Sequence, residues 1–286
     1  MSAPILLNEA AFDRMPVAGS KLKRVMSKRV DEVKAQVKGL KDPDVSVVIR
    51  TKNDAATIGR LLDDLENQDF GGKLQTILVD TESTDGTVEI AQQRGATVIS
   101  IKQADFTYPK ALNLGFEAAK YAYVLTLVGH SRLASSQMLH GLTLWQSPKL
   151  GGIYGVTLPN NNATYTEWFG AYVLGIPKLL KPMEASKDPG MGILAANCSI
   201  VSKKAWESLG GYNEAFAAGA EDNDLAKRMM AAGWTIMREP IISVHHSHGL
   251  GPINALRQFK YWSKILKPQP FDHKKLLTYR PDLRSR

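Results

Sequence analysis

Between residues 45 and 129 the chain alternates between strand-like and helix-like patterns. That alternation restricts its folds more than any other feature. VSVVIRT (45–51) is an unbroken, β-branched apolar run, the pattern of a strand buried on both faces. Ile58, Leu61, Leu62 and Leu65 follow at helical spacing. KLQTILVD (73–80) predicts a second strand, TVEIAQQRG (87–95) a helix closed by glycine, and ATVISI (96–101) a third strand. PKALNLGFEAAK (109–120) then predicts a helix and YAYVLTLVG (121–129) a fourth strand. Strands joined by single helices predict βαβ units. The expected class is α/β, with a Rossmann-like, mostly parallel central sheet and helices on both faces. Ligands of such sheets bind beyond the carboxyl ends of the strands. Asn53, Asp54, Asp80, Asp85 and His130 all follow strand ends, so they are expected to line one crevice.

After about residue 147 the pattern loosens into Asn-, Gly-, Pro- and aromatic-rich loops. AANCSIVS (195–202) and WTIMRE (234–239) predict strands, and EDNDLAKRMMAAG (221–233) a helix. At the N-terminus, Leu22, Val25, Met26, Val30, Val33, Val37 and Leu40 mark a basic amphipathic helix over 21–40, docked on the body or paired with a second copy. At the C-terminus, Leu256, Phe259, Trp262 and Leu266 recur at helical spacing among basic residues, as a docked helix or one lying on a membrane surface. Four segments result: a helical extension (1–43), a regular strand–helix half (44–131), a looser half (132–250) and a basic aromatic helical tail (251–286).

Charge follows these segments. Residues 21–41 hold eight Lys/Arg against two acids and residues 257–286 nine against two, so the remainder is net negative although the whole chain is +8. Basic ends of this kind suit anionic lipid head groups or a polyanion. Cys198 is the single cysteine, which excludes an internal disulfide and fits a reducing compartment. The first residues lack the pattern of a signal peptide, and no apolar run approaches the ~20 residues of a membrane span. The expectation is a cytoplasmic protein, either free or peripheral at the inner membrane face. No G-x-G-x-x-G follows the first strand and no P-loop is present.

SVVIRTKND (46–54), VDTESTDGT (79–87), FTYPKALNLGFEAA (106–119), AEDNDLAKR (220–228) and HSHG (246–249) occur in this order. Together they resemble the family 2 glycosyltransferases of GT-A fold, especially bacterial rhamnosyltransferase-type members, over roughly residues 45–265, which implies a nucleotide-sugar-binding half at 44–131 and an acceptor-binding and catalytic half at 132–250. The resemblance implies that Asp80 accepts a hydrogen bond from the imide of uracil or thymine. Thr51, Asn53 and Asp54 would then flank base and ribose. Lys110 stands where relatives have arginine and would meet the diphosphate as a point charge. Asn113 matches an asparagine near the donor, and Asp85 and Thr87 read as a helix cap. Most relatives carry an Asp-x-Asp pair for Mn²⁺ or Mg²⁺ where this chain has Val128 and His130. A divalent metal is thus expected only if other groups replace those carboxylates. His130 would ligate a borderline metal, bond the phosphates directly, or simply pack.

In an extended VHHSHG, His246 and His248 share a face toward the metal or diphosphate, and His245 points outward. Asp222 is expected to be the base that deprotonates the acceptor, with Glu221 in support. The plainer reading of both acids is charge complementing a helix dipole. The implied reaction is inverting transfer from a UDP- or dTDP-sugar to a saccharide or lipid-linked acceptor hydroxyl, in polysaccharide or glycolipid synthesis. Two other readings stand beside it. One is an inactive nucleotide- or sugar-binding relative or scaffold. The other is transfer to nucleic acid, with the basic ends tracking phosphates.

Overall fold

The computed structural model describes residues 16–160, 163–174, 180–185, 193–216 and 219–265. Its frame is a nine-stranded sheet grown around β1 (Val45–Thr51). Parallel to β1 lie β2 (Leu74–Asp80) on one side and β4 (Tyr123–Val128) on the other, and β3 (Thr97–Ser100) extends the sheet beyond β2. The register pairs Thr51 with Asp80 and Arg50 with Val128, so the three strand ends finish level. That alignment puts their trailing loops side by side.

Beyond β4 the direction changes. β8 (Cys198–Ser202) runs antiparallel between β4 and β6 (Leu150–Leu158), and β9 (Thr235–His245) is parallel to β6. The two-residue β5 (Arg132–Leu133) and β7 (Met183–Glu184) pair antiparallel with β9. The expected sheet with helices on both faces is present, and the sequence pattern alone did not reveal the antiparallel insertion of β8.

Alternation along β1 builds two cores. Val45, Val47 and Ile49 face Ile58, Leu61, Leu62 and Leu65 of α2 (Ala55–Glu66) and Leu142 of α5 (His140–Trp145). Ala91 of α3 (Thr87–Gln93) joins this layer. Val48 faces Ala111, Leu112 and Phe116 of α4 (Tyr108–Ala118), with Trp206 of α7 (Lys203–Ser208) and Leu225 of α8 (Glu221–Ala231). Gly115 permits α4 to sit this low, because a Cβ there would lie 2.3 Å from Val48 Cγ1.

Helix α1 (Pro16–Val37) is docked on the body. Leu22, Met26, Val30, Val33 and Val37 are buried, so the apolar stripe takes the docked arrangement, the first of the two expected for it. Leu40 departs from expectation: it lies past the helix and is 53% exposed. On the polar side of the stripe Arg29 reaches Glu239 of β9, Nε to Oε1 at 3.1 Å and Nη2 to Oε2 at 2.7 Å. Helix α6 (Tyr165–Leu174) packs against α9 (Pro252–Ile265). Residues 1–15 of the predicted extension, and Leu266 with the rest of the tail, lie outside the described residues, as do the side chains of Phe259 and Trp262. No helix among the described residues is long and apolar enough to cross a membrane.

Candidate active site

The loops after β1 and β2 are knitted into one surface by the side chains that crowd VDTESTDGT. Asp80 is almost fully buried, and its carboxylate accepts from the Ser83 amide at 3.0 Å and the Ser83 hydroxyl at 2.5 Å. The Ser83 hydroxyl in turn accepts from the Asn53 amide, while Asn53 Oδ1 accepts from the Thr84 amide. Asn53 adopts a left-handed conformation, φ 53°, which asparagine tolerates better than most residues. Asp85 fills the expected capping role twice. It accepts from the amide and hydroxyl of Thr87 at the start of α3 and from the Ala55 amide at the start of α2. The same bonds to Thr87 and Ala55 hold its carboxyl below the usual carboxylate range. The carboxylates of Asp80 and Asp85 and the hydroxyls of Ser83 and Thr87 therefore form more than a turn: they fix the rim of the crevice.

Asp54 joins that rim to the loop after β4. Its Oδ2 accepts from the Thr51 hydroxyl at 2.8 Å and the Lys52 amide at 3.3 Å. Its Oδ1 stands 3.3 Å from His130 Nδ1. Val128–Ser131 makes a tight turn closed by the Ser131 amide on the Val128 carbonyl, and Thr57 bonds the carbonyl of Gly129. Only glycine fits at 129, since a Cβ would fall 2.4 Å from Asp54 Oδ2 and 2.7 Å from Thr51 Oγ1.

His130 meets His246 and His248 here. His130 Nε2 is 3.0 Å from His246 Nε2, and one nitrogen from each of the three rings lies within 4.8 Å of the others. The HSH loop is clasped at three successive residues. The His246 amide donates to the Leu158 carbonyl, the Asn160 amide to Ser247 Oγ, and the His248 amide to Glu167 Oε1 of α6. His245 does oppose the other two, as its alternation required, but it faces inward rather than outward. It is fully buried, with Nδ1 donating to the Pro159 carbonyl. Burial, reinforced by His248, His130 and Arg50, pushes His246 down to about 3, and burial also lowers His248 and His245. Burial thus favours the neutral form of each of the three.

The acidic pair sits at the start of α8, after Ala220 in a left-handed conformation, φ 73°. Such backbone costs a non-glycine residue free energy and persists only where surrounding structure enforces it. Glu221 is buried and Asp222 half-buried. Asp222 accepts from the amides of Asn223 at 2.6 Å and Ala196 at 3.1 Å. Burial raises the proton affinity of both carboxyls, the charge of Asp222 raises Glu221 further, and Arg50 opposes both shifts.

Arg50, which the sequence reading missed, connects the two clusters. It leaves β1 one residue before the strand end, stacks over Tyr108 at 5.1 Å and donates to the Ala196 carbonyl at 3.4 Å. The Ala196 amide binds Asp222, and the Gly129 amide binds the Arg50 carbonyl. A partly buried arginine in an otherwise apolar strand was the signal for it. Lys110 occupies the first turn of α4, its amide capped by Thr107, with Pro109 suited to that turn. Asn113 is bonded within the chain. Its amide makes all four bonds open to it, accepting from Trp206 Nε1 and the Tyr212 amide and donating to the Tyr212 carbonyl and Glu214. These bonds bracket α4 to the Trp206–Glu214 segment.

The sequence matches glycosyl transferase family 2 over residues 46–210, more than half of the chain. The chain belongs to glycosyltransferase family 2. Residues 187–248 also match the N-terminal domain of galactosyltransferase, a stretch containing Glu221, Asp222, His246 and His248. Among relatives of this family 2 chain, a beta-monoglucosyldiacylglycerol synthase from Nostoc sp. is 26% identical over 245 residues, covering 79% of this chain and 52% of the relative. An O-antigen chain rhamnosyltransferase from Salmonella anatum is 26% identical over 190 residues, covering 65% and 60%. The chain thus spans about half of the first relative's length and three-fifths of the second's.

Solved structures agree in fold. A Pyrobaculum calidifontis mannosyltransferase in complex with GDP-Man and Mn²⁺ superposes with a TM-score of 0.59 at 18% identity, covering 92% of this chain and 77% of that one. S. aureus TarS 1–349 in complex with UDP gives 0.56 at 15% identity, covering 82% and 68%. The family 2 chain has the expected GT-A fold.

Where most family members are expected to carry carboxylates, its donor cluster is all imidazole. Asp54 stands behind His130 rather than beside it, which fits an ion that accepts nitrogen ligands.

Proposed function

We propose that the chain transfers a sugar, with inversion, from a UDP- or dTDP-sugar to an acceptor hydroxyl in polysaccharide or glycolipid synthesis. The observation that carries this reading is the pairing, through Arg50 and Ala196, of a proton-avid carboxylate at the start of α8 with a cluster of three imidazoles at the strand ends. Asp222 is the more accessible carboxylate of its pair and takes the proton of the attacking hydroxyl. The acceptor oxygen forms its bond to the anomeric carbon as the bond to the diphosphate breaks, and the electron pair leaves with the nucleoside diphosphate. Arg50 and Lys110 offset the charge that develops on the leaving group. A divalent ion held by His130, His246 and His248 would add to that offset. Asp80, Thr51, Asn53 and Asp54 bound the nucleotide subsite.

The first test is a thermal-shift panel with UDP, dTDP and GDP. A nucleotide at about 100 times its dissociation constant adds ~2.7 kcal/mol, a rise of several degrees. Asp80→Ala is expected to remove that rise. A parent protein indifferent to all three nucleotides would sink the donor assignment and favour a non-catalytic scaffold.

The acceptor side points to a lipid surface. Tyr165 and Phe169 on α6 and Ile253, Leu256 and Tyr261 on α9 are exposed, with Arg257 and Lys260 among them. Between the two helices a cleft of about 270 Å³ runs to His246 and His248. Apolar side chains interspersed with cations suit insertion at an anionic bilayer surface. Sedimentation with phosphatidylglycerol vesicles is expected to capture the protein in a salt-sensitive manner. Ile253→Glu with Leu256→Glu should weaken capture at least tenfold, because burying each apolar side chain contributes ~1.5–3 kcal/mol. Equal capture of parent and variant, or of neither, rules this surface out.

A further inference from the structure

We infer that His130, His246 and His248 form a nitrogen-donor site for one borderline transition-metal ion of the zinc, cobalt or nickel class, selective against Mg²⁺, with Asp54 as the carboxylate that positions His130. The inference deepens the reading of the same crevice, and borrows from it only that the crevice binds a ligand needing positive charge.

Donor chemistry is the first support. A hard, octahedral cation such as Mg²⁺ requires oxygen ligands and dehydrates reluctantly, whereas imidazole suits Zn²⁺, Ni²⁺ and their neighbours. Among the described residues this cluster contains three imidazoles and no carboxylate. An aspartate pair would have favoured Mg²⁺ or Mn²⁺, so replacing it with histidine changes which ion the site prefers.

Geometry is the second support. Stacked histidines that merely pack need no shared focus, yet here one nitrogen of each ring lies within 4.8 Å of the other two. His130 Nε2 and His246 Nε2 face each other at 3.0 Å. Asp54 Oδ1, 3.3 Å from His130 Nδ1, holds the proton on Nδ1 and so leaves the Nε2 lone pair aimed at the cluster. Histidine ligands characteristically carry such a carboxylate on the far nitrogen. Asp54 is itself fixed by the Thr51 hydroxyl and the Lys52 amide, and Gly129 allows the close approach.

Rigidity is the third. The three hydrogen bonds on residues 246–248, two through their backbone amides and one through the Ser247 hydroxyl, fix two ligands before any ion arrives, which lowers the ordering cost of binding. His248 is exposed, so one side of the site stays open for an oxygen of a bound ligand or water, the arrangement of a three-ligand catalytic site rather than a closed structural one.

The test uses tag-free, chelator-stripped full chain without nucleotide or acceptor. Titration with Co²⁺, followed by its visible absorption, is expected to saturate at one ion per chain with an intense low-coordinate spectrum. Zn²⁺ should displace Co²⁺, while Mg²⁺ at a hundredfold higher concentration should not. His246→Ala and His248→Ala should abolish the spectrum. Asp54→Asn should weaken Co²⁺ binding about 10–100-fold at unchanged stoichiometry. Mg²⁺ displacing Co²⁺ as readily as Zn²⁺ does, or a spectrum that survives both histidine substitutions, overturns the inference. No Co²⁺ binding by the parent protein overturns it as well. Circular dichroism of each variant shows that it is folded. Because no nucleotide is present, the ion can bind even if the nucleotide panel fails, and the two readings fall separately.

Discussion

Asp222→Asn is expected to lower kcat by about 10²–10⁴, the range that a positioned general base contributes. The amide keeps the shape of the side chain and one acceptor oxygen, which can hold the Ala196 or the Asn223 amide but not both, so circular dichroism of the variant checks that the start of α8 keeps its place. It cannot take a proton. Nucleotide-induced thermal stabilisation is therefore expected to survive while turnover is lost. A variant with near-parental turnover would remove Asp222 from the mechanism.

The pH profile gives an independent reading of the same pair. Burial raises both carboxyls, so the acid limb of kcat/KM should lie above the ordinary carboxylate range of about 4. Glu221→Gln removes a neighbouring negative charge, so Asp222 loses its proton at lower pH and the limb shifts down. Stability must follow the same sign. A carboxyl whose affinity for protons is higher folded than unfolded stabilises the fold at low pH and loses that contribution as pH rises through its folded value. Glu221→Gln should then equal the parent near pH 4 and melt a few degrees higher near pH 8.

What the sequence made legible is what local patterns encode. The period-two and 3.6-residue patterns located β1 to β4 and the helices between them, because each element buries a face that its own residues define. Strand-end acids could be placed in the crevice for the same reason. Alternation even separated His245 from His246 and His248. It could not say that the far face of β9 is interior, since that depends on what covers the sheet. Arg50 was missed because its neighbours, Ala196, Glu221 and Asp222, lie about 150–170 residues away and belong to the irregular half. The bonds of Asn113 were illegible for a similar reason. Its partners begin 93 residues downstream, and only the folded chain shows its amide already saturated.

The same gap between a legible face and an illegible partner governs α1, and it leads to the largest expected loss of stability. The stripe from Leu22 to Val37 announces docking, but nothing local announces that Arg29 will cross 210 residues to Glu239. Glu239 has no exposure to water; Trp145 Nε1 donates to it at 2.8 Å and Arg29 forks onto both oxygens. That bonding holds the arginine's proton affinity above its ordinary value. Arg29→Met leaves a carboxylate buried without its counter-charge, for which the typical cost is ~3–5 kcal/mol. For a domain of this size that is roughly 10 °C in melting temperature. Adding Glu239→Gln removes the stranded charge and keeps an acceptor for Trp145, so the double variant should recover much of the loss. Lys28 and Glu32 provide the contrast: their amine and carboxylate stand 3.9 Å apart with 80% and 44% exposure. Lys28→Ala should cost at most ~1 kcal/mol. If Arg29→Met proves as mild as Lys28→Ala in denaturant titration, the ion pair does not anchor the helix, and the apolar stripe alone holds it to β9.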